Sequence, residues 1–140
     1  MTPDDLARLH TVGFDEGRPW SAEEFESLLA SPTTFLVTNA HAFALGRAMG
    51  GEAELLTLVC HPAHRRKGLG RDALLGFEME AAARHAVSAF LEVASDNTAA
   101  RGLYAAAGYE LAGTRPGYYK RGTGHADALL LSKVLRARRG

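Results

Sequence analysis

Arg65-Arg66-Lys67-Gly68-Leu69-Gly70 sets cationic side chains and two glycines where an apolar run gives way to a helical pattern. Glycines let a backbone turn tightly with its N–H groups converging, and the helix that follows adds the partial positive charge of its first turn. The junction therefore suits an anion such as a phosphate, with Arg71 adding a further charge. Glu92 interrupts the almost continuously apolar stretch from 87 to 94. With a two-residue period it shares a face with Ser88 and Phe90, where a carboxylate loses hydration and holds a proton more readily, as a general base must. A strand-end glutamate that reaches solvent, or one paired with an arginine, fits the same pattern. Tyr104 follows Arg101 by three residues, on roughly one face of the next helical segment. There it either donates a proton to a leaving group or packs in the core with its hydroxyl at the rim. Asn97 is a helix N-cap whose amide stays partly available to a ligand.

Other chemistries recede. Cys60 lies beside His61, but Pro62 follows and no second cysteine exists. The six histidines lack the paired spacing of a zinc site, and there is no G-x-S-x-G elbow, so neither a metal nor an acyl-enzyme is expected.

These residues need elements to hold them. Leu6, Leu9 and Phe14 mark a short first helix, and Ser21 with Glu24 forms a capping box for a helix over 21 to 30, closed by Pro32. Apolar runs near 34 to 38, 42 to 49 and 53 to 60, separated by Asn39 and by Gly50-Gly51, predict an antiparallel meander. Leu74, Phe77 and Ala81 recur at helical spacing over 69 to 85. A central strand is expected over 87 to 94 and a helix from Asn97 to about Gly108. Two final strands, near 109 to 114 and 128 to 134, are split by a glycine-rich, basic and aromatic loop from Arg115 to Gly124. The sum is an α/β (α+β) fold with a mixed, mostly antiparallel sheet of six to seven strands and helices on both faces.

The length of 140 residues suits one domain, expected over 1–140. Sixteen basic and sixteen acidic residues cancel, so no overall field recruits nucleic acid or a membrane. Positive charge is concentrated only at 64 to 71 and in the Arg136, Arg138, Arg139 tail, which reads as a solubilising end. A single cysteine, with no signal-peptide pattern and no apolar run approaching ~20 residues, points to the cytoplasm.

In order, a strand ending at Pro62, Arg65-x-x-Gly68-x-Gly70, Leu91-Glu92-Val93, Asn97 and Leu103-Tyr104-x-x-x-Gly108-Tyr109 resemble the GCN5-related N-acetyltransferase family over roughly residues 53 to 113. The resemblance implies that Leu58, Val59 and Cys60 on a bulged strand hold the pantetheine arm of acetyl-coenzyme A. It implies that Arg65, Arg66, Lys67, Gly68, Leu69, Gly70 and Arg71 take its pyrophosphate, with Asn97 also at the cofactor. Within the family, Pro19-Trp20-Ser21, the L-E-V-x-x-x-N run and Arg115-x-x-Tyr118-Tyr119 are similar to the branch that acetylates the amino-terminal alanine of ribosomal protein S18. That likeness implies Glu92 as base, Tyr104 as acid, and Trp20, Tyr118 and Tyr119 along the acceptor, in a monomer or weak dimer. Cys60-His61-Pro62 departs from the usual Val-Asp-Pro, which matters little where contacts come from backbone. A small-molecule or lysine acetyltransferase, or a non-catalytic acetyl-coenzyme A binding module, remains open on the same residues.

Overall fold

The computed structural model describes residues 1–14 and 16–135, so the Arg136, Arg138, Arg139 tail lies outside the described residues. Helices α1 (Pro3–Gly13) and α2 (Ala22–Leu29) both begin with reciprocal caps, Thr2 with Asp5 and Ser21 with Glu24. Strands β1 (Thr34–Thr38), β2 (Ala42–Met49) and β3 (Glu52–Cys60) form the expected meander. A single 3-10 turn at Pro62–His64 leads into α3 (Leu69–Ala83), followed by β4 (Ser88–Ala94), α4 (Thr98–Ala106), β5 (Glu110–Arg121) and β6 (Gly124–Val134). Gly108, at φ +96°, takes the left-handed conformation expected just beyond the end of α4.

Among the described residues six strands lie in one sheet in the order β1-β2-β3-β4-β6-β5, at the lower end of the expected six to seven. Neighbours are antiparallel except β3 and β4. The predicted Arg115 to Gly124 loop is a correction: β5 continues through it and pairs Tyr119 with Ala126 and Arg121 with Gly124. Pro116 and Gly117 read as turn residues because neither suits a regular ladder. Here they fall in a register shift between Arg115 and Tyr119, where Asp127 Oδ1 accepts the Gly117 N–H at 2.9 Å.

Two cores flank the sheet. On one side α3 packs Ala73, Leu74, Phe77 and Ala81 against Phe35, Ala44 and Leu55, and on the other Leu6 of α1 and Phe25 of α2 cover Phe43, Leu45 and Val59. Strand β3 serves both by means of a bulge. Leu45 pairs with Thr57 and Gly46 with Leu55, so Leu56 is an inserted residue between two partners that are adjacent on β2. Side chains alternate with a period of two, so one extra residue exchanges the faces. Ala53 and Leu55 belong to the α3 core, whereas Val59 joins the α1 and α2 core, and Thr57 meets His10 of α1. The bulge also marks a parting of strands: β3 and β4 pair only at Glu52↔Ser88, Ala53↔Ala89 and Glu54↔Phe90, then separate.

Candidate active site

Where β3 and β4 part, a cleft of about 570 Å³ opens between Leu55, Leu56, Thr57, Leu58 and Cys60 on one side and Leu91, Glu92 and Val93 on the other. Beyond Glu54 the edge of β3 that faces β4 makes no ladder with it, so its polar groups are directed at whatever enters. Leu58 and Cys60 line the cleft, whereas the Val59 side chain is turned by the bulge into the opposite core. The Cys60 thiol is pushed up from its ordinary range by burial, against the lowering influence of Arg65, so the less reactive protonated form prevails.

One end of the cleft is the basic turn. Gly68 at φ +79° and Arg66 at φ +66° curl the chain before α3. No side chain caps that helix, so the first-turn N–H groups and the helix dipole are presented to the cleft, which Gly68, Leu69, Gly70 and Arg71 line. Asn39 Nδ2 donates to Leu69 O at 2.9 Å and fixes this turn against the β1–β2 connection. The two leading basic residues divide their work. Arg65 donates from Nη2 to Gly13 O at 2.8 Å, tying the turn to the end of α1, while Arg66 lines the cleft. Lys67 instead lies 3.4 Å from His64 Nδ1. Gly13 is required at that crossing: a Cβ there would stand 2.5 Å from Val59 Cγ1 and 2.9 Å from Cys60 O.

The other end holds the titratable groups. Glu92 is half-buried and its Oε2 lies 3.5 Å from Arg115 Nε on the neighbouring hairpin. The arginine-paired alternative foreseen for Glu92 is therefore realised together with a place on the cleft wall. Tyr104 is 7% exposed and packs edge-on to Tyr109 at 5.9 Å between centroids, yet it also lines the cleft. Burial first, and the Glu16 carboxylate second, raise its hydroxyl well above the ordinary tyrosine range, so it holds its proton. Tyr119 is likewise raised to about 12 by burial, then by Glu16 and Glu92. Arg115 lies over the Tyr118 ring at 5.5 Å and Arg121 over Tyr119 at 5.1 Å, forming a layered rim.

Two residues beside the cleft were missed by reasoning from sequence. Glu16, between α1 and α2, accepts the Ala94 N–H through Oε1 at 3.2 Å and the Asn97 Nδ2 amide through Oε2. Asn97 is thus both the N-cap of α4, accepting from Ala100 N at 3.2 Å, and the donor that holds Glu16. Its amide serves the protein while the residue lines the cleft. His10 is fully buried, accepts the Trp20 N–H at Nδ1 (2.9 Å) and sets Nε2 3.2 Å from Thr57 Oγ1. With Nδ1 accepting, the proton belongs on Nε2 and is directed at the threonine. Trp20 stacks on His10 at 5.0 Å and packs into the α1 and α2 core rather than lining the cleft. A capping-box search locates Ser21 and Glu24 but offers no signal for an acidic loop residue that acts through distant partners.

No three His, Cys, Asp or Glu side chains among the described residues gather as a metal site. No helix among them is long and apolar enough to cross a membrane.

Comparison with known proteins agrees with this geometry. The sequence pattern of the Acetyltransferase (GNAT) family matches residues 4–109. An uncharacterised protein of Mycobacterium leprae is 35% identical over 145 residues, covering 95% of this chain, but this chain spans only 39% of that relative's length. The [ribosomal protein bS18]-alanine N-acetyltransferase of Escherichia coli K12 is 32% identical over 135 residues, which is 94% of this chain and 91% of the relative. The crystal structure of the Escherichia coli ribosomal-protein-S18-alanine N-acetyltransferase superposes with a TM-score of 0.82 at 27% identity, covering 96% of this chain and 87% of that one.

Proposed function

Since the chain belongs to the GNAT acetyltransferase family, we propose that it transfers an acetyl group from acetyl-coenzyme A to the amino-terminal α-amine of a protein, the alanine terminus of ribosomal protein S18 being the leading acceptor. The observation that carries this reading is the cleft itself: an uncapped helix start at one end, an unladdered strand edge along one wall, and a carboxylate and a proton-holding tyrosine at the other end. The residues present fit acetyl-coenzyme A. Its pyrophosphate suits the N–H groups of Leu69, Gly70 and Arg71 with the Arg66 charge beside them, and its amide-bearing arm suits the polar edge of β3.

Acetyl-coenzyme A supplies an activated acyl group as a thioester. The chain must then handle one proton at each side of the transfer. An α-amine, with its ordinary value near ~7.7 to 8.0, is partly neutral at physiological pH, whereas lysine at ~10.4 is almost wholly charged. Glu92 removes the proton from the attacking nitrogen, directly or through one water, with Arg115 steadying the carboxylate that receives it. N–H groups of the β3 edge polarise the acyl oxygen. Tyr104, buried in the cleft wall with its proton in place, gives that proton to the departing sulfur. The acceptor enters past Tyr118 and Tyr119 on the β5–β6 hairpin.

An acetyl-transfer assay tests the reading. A peptide beginning with the S18 alanine terminus, the same peptide blocked at its terminus but carrying an internal lysine, and free small amines are compared with acetyl-coenzyme A as donor. Preferred transfer to the unblocked peptide is expected. Preference for lysine or small amines would overturn the acceptor class, and transfer to none would leave a binding module.

A further inference from the structure

Beside the basic turn, three imidazoles and a lysine gather without forming part of the cleft wall. The His41 and His64 rings stack face to face, 3.4 Å between centroids and 3° from parallel, and His61 stands edge-on to His64 at 5.6 Å. The frame that holds them is braced at several points. His61 N–H donates to His41 O at 2.8 Å, the Cys60 thiol is directed at the carbonyls of His61 and His64, and Asn39 ties the β1–β2 connection to Leu69. Lys67 stands in sequence between Arg66 and Gly68, both of which line the cleft, yet its Nζ meets His64 Nδ1 at 3.4 Å. An ammonium only donates, so Nδ1 accepts and neutral His64 carries its proton on Nε2. His61 does the same, because its Nδ1 accepts the Ala63 N–H at 3.1 Å. Among the described residues no hydrogen bond engages either Nε2.

We infer that His61, His64 and Lys67, with His41 stacked on His64, form a second anion site that takes the phosphate monoester carried on the ribose of coenzyme A. The inference rests on the donor proposed above. Coenzyme A bears two kinds of phosphate on one ribose, a pyrophosphate and a monoester, so a ligand with its pyrophosphate at Gly68 to Arg71 brings the monoester to the same turn. Two Nε2–H groups and the remaining N–H groups of Lys67 suit an oxyanion with several acceptor oxygens. Arg65 is occupied with Gly13 and Arg66 faces the cleft, so the permanent charge serves the pyrophosphate and the titratable cluster serves the monoester. Burial first, then the repelling influence of His41, Lys67 and His61, holds His64 below the ordinary imidazole range. A dianion reverses that balance, so the cluster takes up a proton as the phosphate arrives. The stack limits uptake to about one proton, because two charged rings at that separation repel.

The test measures binding rather than turnover. Calorimetry on the full chain compares coenzyme A with dephospho-coenzyme A, which lacks only that monoester. The wild-type protein is expected to favour coenzyme A by about tenfold at pH 6.5 and about threefold at pH 8, as for charge-assisted hydrogen bonds in a partly solvated site. The sign follows from the imidazoles, which are neutral at high pH and gain charge with the dianion, so the preference grows as pH falls across that interval. Titration at pH 7 in buffers of different ionisation enthalpy should show net proton uptake with coenzyme A and none with dephospho-coenzyme A. The monoester itself loses protons beside a cation, so uptake belongs to the imidazoles. His64→Asn should reduce the preference to about twofold and abolish the uptake. Equal weakening of both ligands in that variant would mean that the ring only shapes the turn, and would overturn the inference. If the variant does not fold, the wild-type protein decides: a preference that ignores pH, or no uptake, overturns it. Inorganic phosphate separates the two sources of such a group. It should move the His64 ring signal in NMR spectra of protein saturated with dephospho-coenzyme A but not with coenzyme A; movement in both would assign the cluster to a separate phosphate and sink the inference. A protein that binds neither form sinks the proposed donor, whereas one that binds both alike sinks only the monoester site.

Discussion

At the turn end of the cleft the groups on offer are mainly backbone: the N–H groups of the first turn of α3, curled into place by Gly68 and Arg66. At the end proposed for acid–base chemistry they are side chains drawn from separated parts of the chain, namely Glu16, Glu92 and Tyr104, with Arg115 beside Glu92. Backbone geometry depends on conformation more than on residue type, so the turn end tolerates a departure such as Cys60-His61 and suits a ligand common to many relatives. A side-chain mosaic can change one contact at a time, which is where discrimination between acceptors belongs.

Breaking the acid–base end should have the largest effect. Tyr104→Phe is expected to lower kcat by about 100-fold or more while leaving the KM for acetyl-coenzyme A within about twofold, measured by steady-state transfer. Near-normal turnover would remove the tyrosine from the mechanism.

The second perturbation is acid, and it enters through His10. Burial lowers His10 to about 4 from its ordinary 6.5, so the unfolded chain binds a proton that the folded chain refuses. Its effect on stability is therefore negligible above pH 6.5 and increasingly unfavourable as pH falls from there towards 4. Between pH 7 and pH 5 this amounts to about 2 kcal/mol, measurable by urea unfolding. His10→Asn should flatten that part of the pH dependence; an unchanged slope would locate the sensitivity elsewhere. Because His10 joins α1 to Thr57 and Trp20, acid should loosen the hold of α1 on β3.

The turn itself is tested by Gly68→Ala. The space around Gly68 is open, but a Cβ at φ +79° costs about 1 to 2 kcal/mol, so affinity for coenzyme A should fall about tenfold with kcat at saturation little changed. The smallest effect belongs to Arg121→Ala. Its pair with Asp96 is partly exposed, and its loss should alter the acceptor KM about two- to threefold and leave donor affinity alone.

The same contrast governs what was readable in the sequence. The turn is contiguous, its glycines and charges adjacent, and an apolar strand and a periodic helix bracket it. Glu92 was visible because a charge is conspicuous in an apolar run. Glu16 was not, because in an acidic and glycine-containing loop it resembles any solvated residue, and its partners lie 78 and 81 positions away. His10 fits the amphipathic pattern of α1, and only Thr57, 47 residues distant, reveals what it does. The hairpin was read too short because Pro116 and Gly117 carry turn signals that a register shift absorbs. Trp20 stood out in the sequence only by likeness of its segment, and its stacking on His10 became visible only in the fold.

The inserted Leu56 has a consequence for how the molecule comes apart. Because β3 gives its first half to the core under α3 and its second half to the core under α1 and α2, the two hydrophobic clusters share one length of backbone rather than meeting at a seam. Neither can melt without exposing the central strand on which the other depends, which couples them into one cooperative unit. A cleft formed by the parting of two strands is an opening in the middle of a sheet, where local unfolding would otherwise begin. Shared ownership of β3 keeps that opening from spreading.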